Sequence, residues 1–322
     1  MGYIEKVCAD KINSYIPANC TFVCFSSFED RCLSLLKEID SKKINEAFVF
    51  RNIEKLMDTN NEKNTQIITD SISNASVIKI NLSSSINLAD SIFDLVKKLH
   101  SKEAKDLVVD ITTFTHEALL ILIKNLFLYK KSFKTIRFIY NSASAYSPWL
   151  SKGCKEVRNV IGYPGIFNPA LKYHLVILTG FEYERATRLV ELMEPDILSI
   201  GIGLDPTSND HLCTMQNSEV KFKSWLSNLP SLSSDTFSFS CSHIEETIRC
   251  LKEIALSENE ENLIFVPLNT KLSTISVALV ALQNKQIQVT YPIPEIYNLE
   301  YSKVGESFTI INLLEMADFS GG

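Results

Sequence analysis

Two arginines stand at matching places in this chain. Arg31 follows Asp30 and opens a helical pattern with Cys32, Leu35, Leu36 and Ile39 on one face. Arg185 follows Glu184 and opens another, with Ala186, Leu189, Val190 and Met193 at the same offsets. An apolar run and a polar turn precede each helix: residues 22–25 then Ser26 and Ser27, and residues 175–178 then Thr179 and Gly180. A cation at a helix N-terminus opposes the macrodipole. Two arginines so placed call for a specific partner, either a carboxylate or a ligand phosphate.

Further polar residues follow other apolar runs. Asp110, Thr112, Thr115 and His116 follow the run at 107–111, and Asn269, Thr270 and Lys271 follow that at 263–267. Asn52 and Glu54, and Gly201, Gly203 and Asp205, hold similar places. Each has a structural alternative. Asp110 and Thr115 can cap the next helix, and His116 can be a satisfied core or capping residue. Gly201 and Gly203 lack the third glycine and the helix timing of a dinucleotide fingerprint, so a tight turn accounts for them. Tyr146 and Tyr297 can stack on a base or plug the core.

No P-loop, G-x-S-x-G elbow or H-E-x-x-H helix occurs. The five histidines are far apart, so no nucleophile–base pair can be named and the catalytic residues stay unknown. Neither an aspartate-rich cluster nor a cysteine–histidine spacing suggests a metal, so no metal site is expected. The cofactor is likewise unknown.

These residues are positioned by a repeat. Shifted by 156 residues, segment 86–126 lies on 242–282 without a gap: Leu88 meets Ile244, Ile92 meets Ile248 and Leu107 meets Leu263. A last apolar run, 136–140, matches 287–291, and Tyr146 falls on Tyr297 at the same shift. Strand-like runs alternate with amphipathic helices, and the runs are continuously apolar, as in parallel sheets covered on both faces. The fold expected is α/β. It comprises two tandem Rossmann-like domains, each an open, mostly parallel sheet of about five strands, related by internal duplication. The expected boundaries are 1–150, with a helix in residues 1–20, a linker at 151–172, a second domain at 173–315, and a flexible tail at 316–322. In such sheets ligands bind beyond the carboxyl ends of the strands, and helix N-termini there favour anions. The expected ligand-binding set is therefore Ser26, Ser27, Arg31, Asp110, Thr112, Thr115, His116, Thr179, Gly180, Glu184, Arg185, Asn269, Thr270 and Lys271.

The chain has 322 residues, 45% of them hydrophobic, enough for two cores. Its net charge of −6 argues against a duplex nucleic acid partner, which wants a basic face. The longest apolar stretch, 118–129, is broken by Lys124 and Asn125 and is too short to span a bilayer, so no membrane partner is expected. Eight scattered cysteines and a charged N-terminal stretch without an apolar core point to a reducing, cytoplasmic setting.

The stretch 109–115, Val-Asp-Ile-Thr-Thr-Phe-Thr, resembles the second signature of CARF-type (CRISPR-associated Rossmann fold) domains. There a strand ends in Asp, an apolar residue, Thr, two glycines and Thr. Asp110, Thr112 and Thr115 match; Thr113 and Phe114 replace the glycines. The resemblance implies a cyclic oligonucleotide ligand over these turns, with the tandem pair mimicking a dimer. It also implies a separate effector protein in antiviral signalling, or ring-opening by the chain itself. Three readings stay open: a ligand-sensing or adaptor protein for a nucleotide-like small molecule, an enzyme acting on a nucleotide or nucleoside derivative, and a non-catalytic subunit of a protein complex.

Overall fold

The computed structural model describes residues 3–54, 58–102, 105–205, 209–229, 232–257, 261–300 and 302–320. The chain divides into two compact units, one comprising residues 1–145 and 302–322, the other residues 146–301.

In the first unit, β1 (Ile4–Cys8) leads through a 3-10 turn to β2 (Cys20–Ser26) and α1 (Ser34–Glu38). Then come β3 (Ile44–Asn52), α2 (Asp58–Ser71), β4 (Ala75–Ile80), α3 (Ser85–Ser101), β5 (Asp106–Asp110), α4 (His116–Leu128) and β6 (Thr135–Asn141). Two short strands, β7 (Ala145–Tyr146) and β8 (Ser151–Lys152), lie at the passage into the second unit. That unit contains β9 (Glu156–Pro164), β10 (Lys172–Leu178), α5 (Tyr183–Met193), β11 (Ile197–Leu204), α6 (Asn209–Leu226) and β12 (Ser233–Ser240). It continues with α7 (Ile244–Ser257), β13 (Glu261–Pro267), α8 (Lys271–Gln283), β14 (Gln288–Ile293) and β15 (Ile296–Tyr297). The chain then returns to the first unit with β16 (Ser302–Lys303), β17 (Ser307–Asn312) and α9 (Leu313–Ser320).

The first sheet runs β4-β3-β2-β5-β6-β17-β1 and the second β12-β11-β10-β13-β14-β9. In both, five parallel strands occur in the same order, and an antiparallel strand follows the last of them. The central parallel strands are apolar because helices cover both faces, and every residue of β2 is buried, whereas the outer β4 and β12 are largely exposed. Helices α4 and α8 are buried almost all round, which explains their continuous apolar sequences.

The edges depart from the sequence-based expectation. Segment 151–172, expected as a linker, carries β9, which pairs with β14. Residues 302–315, expected within the second domain, do not join the second sheet: β17 pairs with β6 in the first, Ile310 opposite Ile139. Each last parallel strand thus gains its antiparallel neighbour from the segment that follows the other one. Residues 1–20, expected as a helix, contain β1 instead, and Ile4 pairs with Ile311 of β17. The expected tail begins inside α9, where Met316 is fully buried. Local periodicity identifies a strand, but its partner is set by hydrogen bonds to residues far away in sequence.

Gly305 shows how closely the returning segment docks. A Cβ there would lie 1.7 Å from the Ser142 carbonyl oxygen. The fully buried Asn141 side chain brackets it, accepting from the Gly305 N–H at 3.0 Å and donating to the carbonyls of Gly305 and Ser307.

Candidate functional site

In the first unit the crevice expected to hold a ligand lies between the carboxyl ends of β2 and β5, where the chain switches direction across the sheet. It is filled by the protein's own side chains. Phe114, 1% exposed, packs edge-on against Phe25 at 5.4 Å and Phe50 at 6.0 Å between ring centroids. The Thr113 hydroxyl donates to the Phe25 carbonyl at 2.6 Å and ties the two turns together.

The candidate residues around this plug satisfy one another. The Ser26 hydroxyl bonds Asn61 at 2.7 Å and Thr65 at 2.6 Å, anchoring α2. The Ser27 carbonyl accepts from Asn64, and its hydroxyl accepts from the Glu29 N–H. Asp110 is 3% exposed and accepts from the Thr112 N–H at 3.0 Å, while the Thr112 hydroxyl accepts from the Asn141 N–H. Burial pushes the Asp110 carboxyl up to about 6, against the hydrogen bonds from Thr112 and the Arg31 charge, which lower it. Thr115 caps α4, accepting from the Ala118 N–H at 3.1 Å. His116 is the first residue of that helix and is partly buried.

Both arginines are buried, and both answer the question of their partner with a carboxylate. Arg31 donates from Nε and Nη2 to Glu29 and from Nη1 to the Asn141 carbonyl at 3.0 Å. Glu29 also accepts from the Ser302 hydroxyl at 2.7 Å. Arg185 donates from Nη1 to Glu182 and to the Ser151 hydroxyl, and from Nη2 to the Pro292 carbonyl. Ser151 in turn donates to Glu182. The two clamps therefore have the same composition: an arginine, a glutamate, the last carbonyl region of a parallel strand, and a serine of the segment beyond. Asp30 and Glu184, the acids next to the arginines in sequence, are exposed.

In the second unit the turns after β10 and β13 touch. A Cβ on Gly180 would lie 2.3 Å from the Leu268 carbonyl oxygen. The Asn269 amide donates to the Thr179 carbonyl at 2.6 Å, the counterpart of the Thr113 tie. The Thr179 hydroxyl donates to the Gly201 carbonyl. Thr270 caps α8 as Thr115 caps α4, accepting from the Ser273 N–H at 3.2 Å, and Lys271 begins that helix, partly buried.

Beside this closed crevice, a cleft opens at the carboxyl ends of β10 and β11, against α5 and α6. Thr179, Gly180, Tyr183, Ser218, Glu219 and Lys223 are its polar lining, over a floor that includes Ile200, Ile202 and Phe222. Its enclosed space is about 10 Å³, room for one water molecule. Lys221 lies over the Tyr183 ring at 5.0 Å, and Lys223 pairs with Glu219 at 2.6 Å. The N-terminus of α5 has no side-chain cap. Of the expected residues, Thr179 and Gly180 reach this cleft. Ser218, Glu219 and Lys223 were missed because α6 is a weakly patterned helix whose residues meet the strand ends only in three dimensions, and Tyr183, the first residue of α5, was not among the expected residues either.

A second grouping also escaped the sequence. Asp205, just beyond β11, and His243 and Glu246, at the start of α7, bring their ligand-type atoms within 4.8 Å of one another. Their spacing of 38 and 3 residues matches no local motif, so the sequence gives no sign of the grouping.

No protein-family model matches the chain, and no curated protein matches it. Among solved structures it is similar to an NADPH-bound carbonyl reductase from chicken fatty liver, at 8% identity over 86% of this chain and 92% of that one, with a TM-score of 0.29. It is also similar to the leucoanthocyanidin reductase–NADPH complex from Vitis vinifera, at 10% identity over 83% of this chain and 88% of that one, with a TM-score of 0.26. Likeness this loose decides neither fold nor ligand. The chain is a mixed α/β protein on the strength of its own strand order, with two sheets built on parallel strands.

Proposed function

We propose that the protein is a ligand-sensing or adaptor protein that takes a small, anionic, nucleotide-like molecule in its second unit, with the first unit as scaffold. The reading treats the two Rossmann-like units as diverged copies. The observation that carries it is the contrast between them: where the first packs Phe114 against Phe25 and Phe50, the second has a small cleft at the strand ends with Thr179, Ser218, Glu219 and Lys223 in its lining. Tyr183 offers a ring face for a base. Lys221, Lys223 and the uncapped start of α5 offer positive potential for a phosphate. The small enclosed volume means that a ligand must part α6 from the strand ends on entry, so binding is coupled to a movement that a partner protein can sense.

The resemblance at 109–115 places cyclic oligonucleotides among the ligands to test, and an antiviral setting with a separate effector goes with them. Thermal-shift and calorimetric titration with linear and cyclic nucleotides test the reading. A saturable Tm rise, reduced by Tyr183→Ala and by Lys223→Glu, is the expected result. Conversion of the nucleotide in the same mixture would move the assignment to an enzyme.

The plugged first crevice favours a second reading, a non-catalytic subunit of a complex. It predicts no shift with any nucleotide and a protein partner retained in native mass spectra of the material from its own host.

A further inference from the structure

The first strand-end grouping outside the cleft is the set formed by Asp205, His243 and Glu246 in the second unit. We infer that these three side chains form a binding site for a divalent transition-metal ion of the zinc or manganese class.

The donor set comes first. One imidazole and two carboxylates suit borderline cations, whereas calcium and magnesium sites are built from oxygen donors. The geometry comes next. A His243 ring nitrogen lies 3.7 Å from the Asp205 carboxylate, and all three ligand atoms fall within 4.8 Å. Ligands at about 2.1 Å from a tetrahedral ion stand about 3.4 Å apart. The set is therefore open by roughly 1 Å relative to a bound state, a distance that exposed side chains cover by rotation.

The site is also framed. The Ser240 hydroxyl accepts from the His243 N–H at 2.9 Å, contacts the ring Nδ1 at 3.1 Å and donates to Asp205 at 3.2 Å. That hydroxyl, in a residue 4% exposed at the end of β12, keeps the histidine and one carboxylate side by side. The matching corner of the first unit lacks two of the three donors, Asp90 alone answering Glu246 at the 156-residue shift. Asn87 stands where the 156-residue shift puts His243, and Ile53 rather than an aspartate follows β3. The Asn87 side chain there accepts from the Asn81 N–H at 2.8 Å, an ordinary structural bond. The polar turn is thus common to both units, and the ligating chemistry belongs to one. Three protein ligands on an exposed edge leave coordination positions for water or for an anionic group of another molecule.

The inference stands apart from the nucleotide reading, and its test uses metal alone. The full chain is titrated calorimetrically with zinc and manganese chlorides, and with cobalt(II) followed by visible absorption. One equivalent is expected to bind, with cobalt bands of a nitrogen–oxygen site. His243→Ala and Asp205→Asn are each expected to weaken binding at least tenfold, and His243→Asn, the first unit's residue, to do the same. These side chains are exposed, so the variants should keep the parent's circular dichroism and Tm. Absence of binding overturns the inference. So does binding that persists in the Asp205→Asn, His243→Ala double variant, or a cobalt spectrum with thiolate charge-transfer bands, either of which would put the ion on cysteines.

Discussion

At the scale of single residues, the buried charges are what the sequence could pose but not resolve. Arg31 and Arg185 were marked by their place at helix starts, and each is held by a glutamate two or three positions earlier. Truncating one partner of a buried pair leaves the other charge uncompensated. Arg31→Ala and Arg185→Ala should each destabilise the protein by about 3 kcal/mol, measured by urea unfolding, while ligand affinity in the second cleft stays unchanged for Arg31→Ala. Asp110 is the residue whose titration should be visible. Its folded carboxyl is raised from 3.8 to about 6, chiefly by burial, so the folded state holds the proton more tightly than the unfolded chain. Stability should therefore fall as pH rises from about 4 to about 6 and be level above that. Asp110→Asn keeps an oxygen for the Thr112 N–H and removes the ionisation. It should flatten this dependence and raise stability at neutral pH by up to about 3 kcal/mol. An unchanged pH profile in the variant would show that the group does not carry it.

A different set, centred on the buried His174 and Ser199, lies at the other end of the second sheet. His174 lies 2.6 Å from the Glu261 carboxylate and 2.8 Å from the Ser199 hydroxyl, and Ser199 donates to Asp235 at 2.5 Å. The chain Glu261–His174–Ser199–Asp235 links β13, β10, β11 and β12. None of its members was singled out from the sequence as a site, because only the parallel register brings them onto one face.

At the scale of elements, the helices and parallel strands follow from local pattern, and the edges do not. The amphipathic α3 buries Leu88, Ile92, Leu95 and Leu99, the periodic positions of its sequence. The turn after β5 was legible as polar, yet its function was not. Thr113 and Phe114 stand where the resembling family has glycines, and they close the crevice rather than open it. Phe114→Ala should leave a cavity and cost about 3–5 kcal/mol, read as a lowered urea midpoint with an unchanged slope. Gly305 is the corresponding test of the returning segment. Gly305→Ala places a methyl against the Ser142 carbonyl, and a loss of at least ~2 kcal/mol is expected from overpacking and broken Asn141 bonds. A neutral substitution would mean that the loop at Gly305 yields freely.

At the scale of the whole molecule, chain order and sheet membership part company at the edges: β9, later in the chain than β6, completes the second sheet, and β17, later than β14, completes the first. The first unit is therefore made from both ends of the chain. Deleting residues 302–322 removes β17, which stands between β1 and β6, and exposes the backbone of both. The expected outcome is loss of hydrogen-exchange protection in β1 and β6 with β10–β14 still protected. Equal loss in both units would show that the second sheet depends on the returning segment as well. Among the described residues no helix is long and apolar enough to cross a membrane.

By itself, the sequence determined the alternation of strands and helices and the parallel character of the sheets, and it offered Thr115 as a cap. All of these rest on side-chain periodicity and on bonds between residues a few positions apart. Only the tertiary structure decided which segment completes each sheet, which carboxylate holds each arginine, and which crevice is closed. It also brought Asp205 to His243 and Glu246, and α6 to the ends of β10 and β11. Apart from the arginine–glutamate pairs, two and three positions apart, those outcomes depend on pairings between residues tens to more than a hundred positions apart. Their energies come from hydrogen bonding and burial in the assembled fold, and no local pattern encodes them.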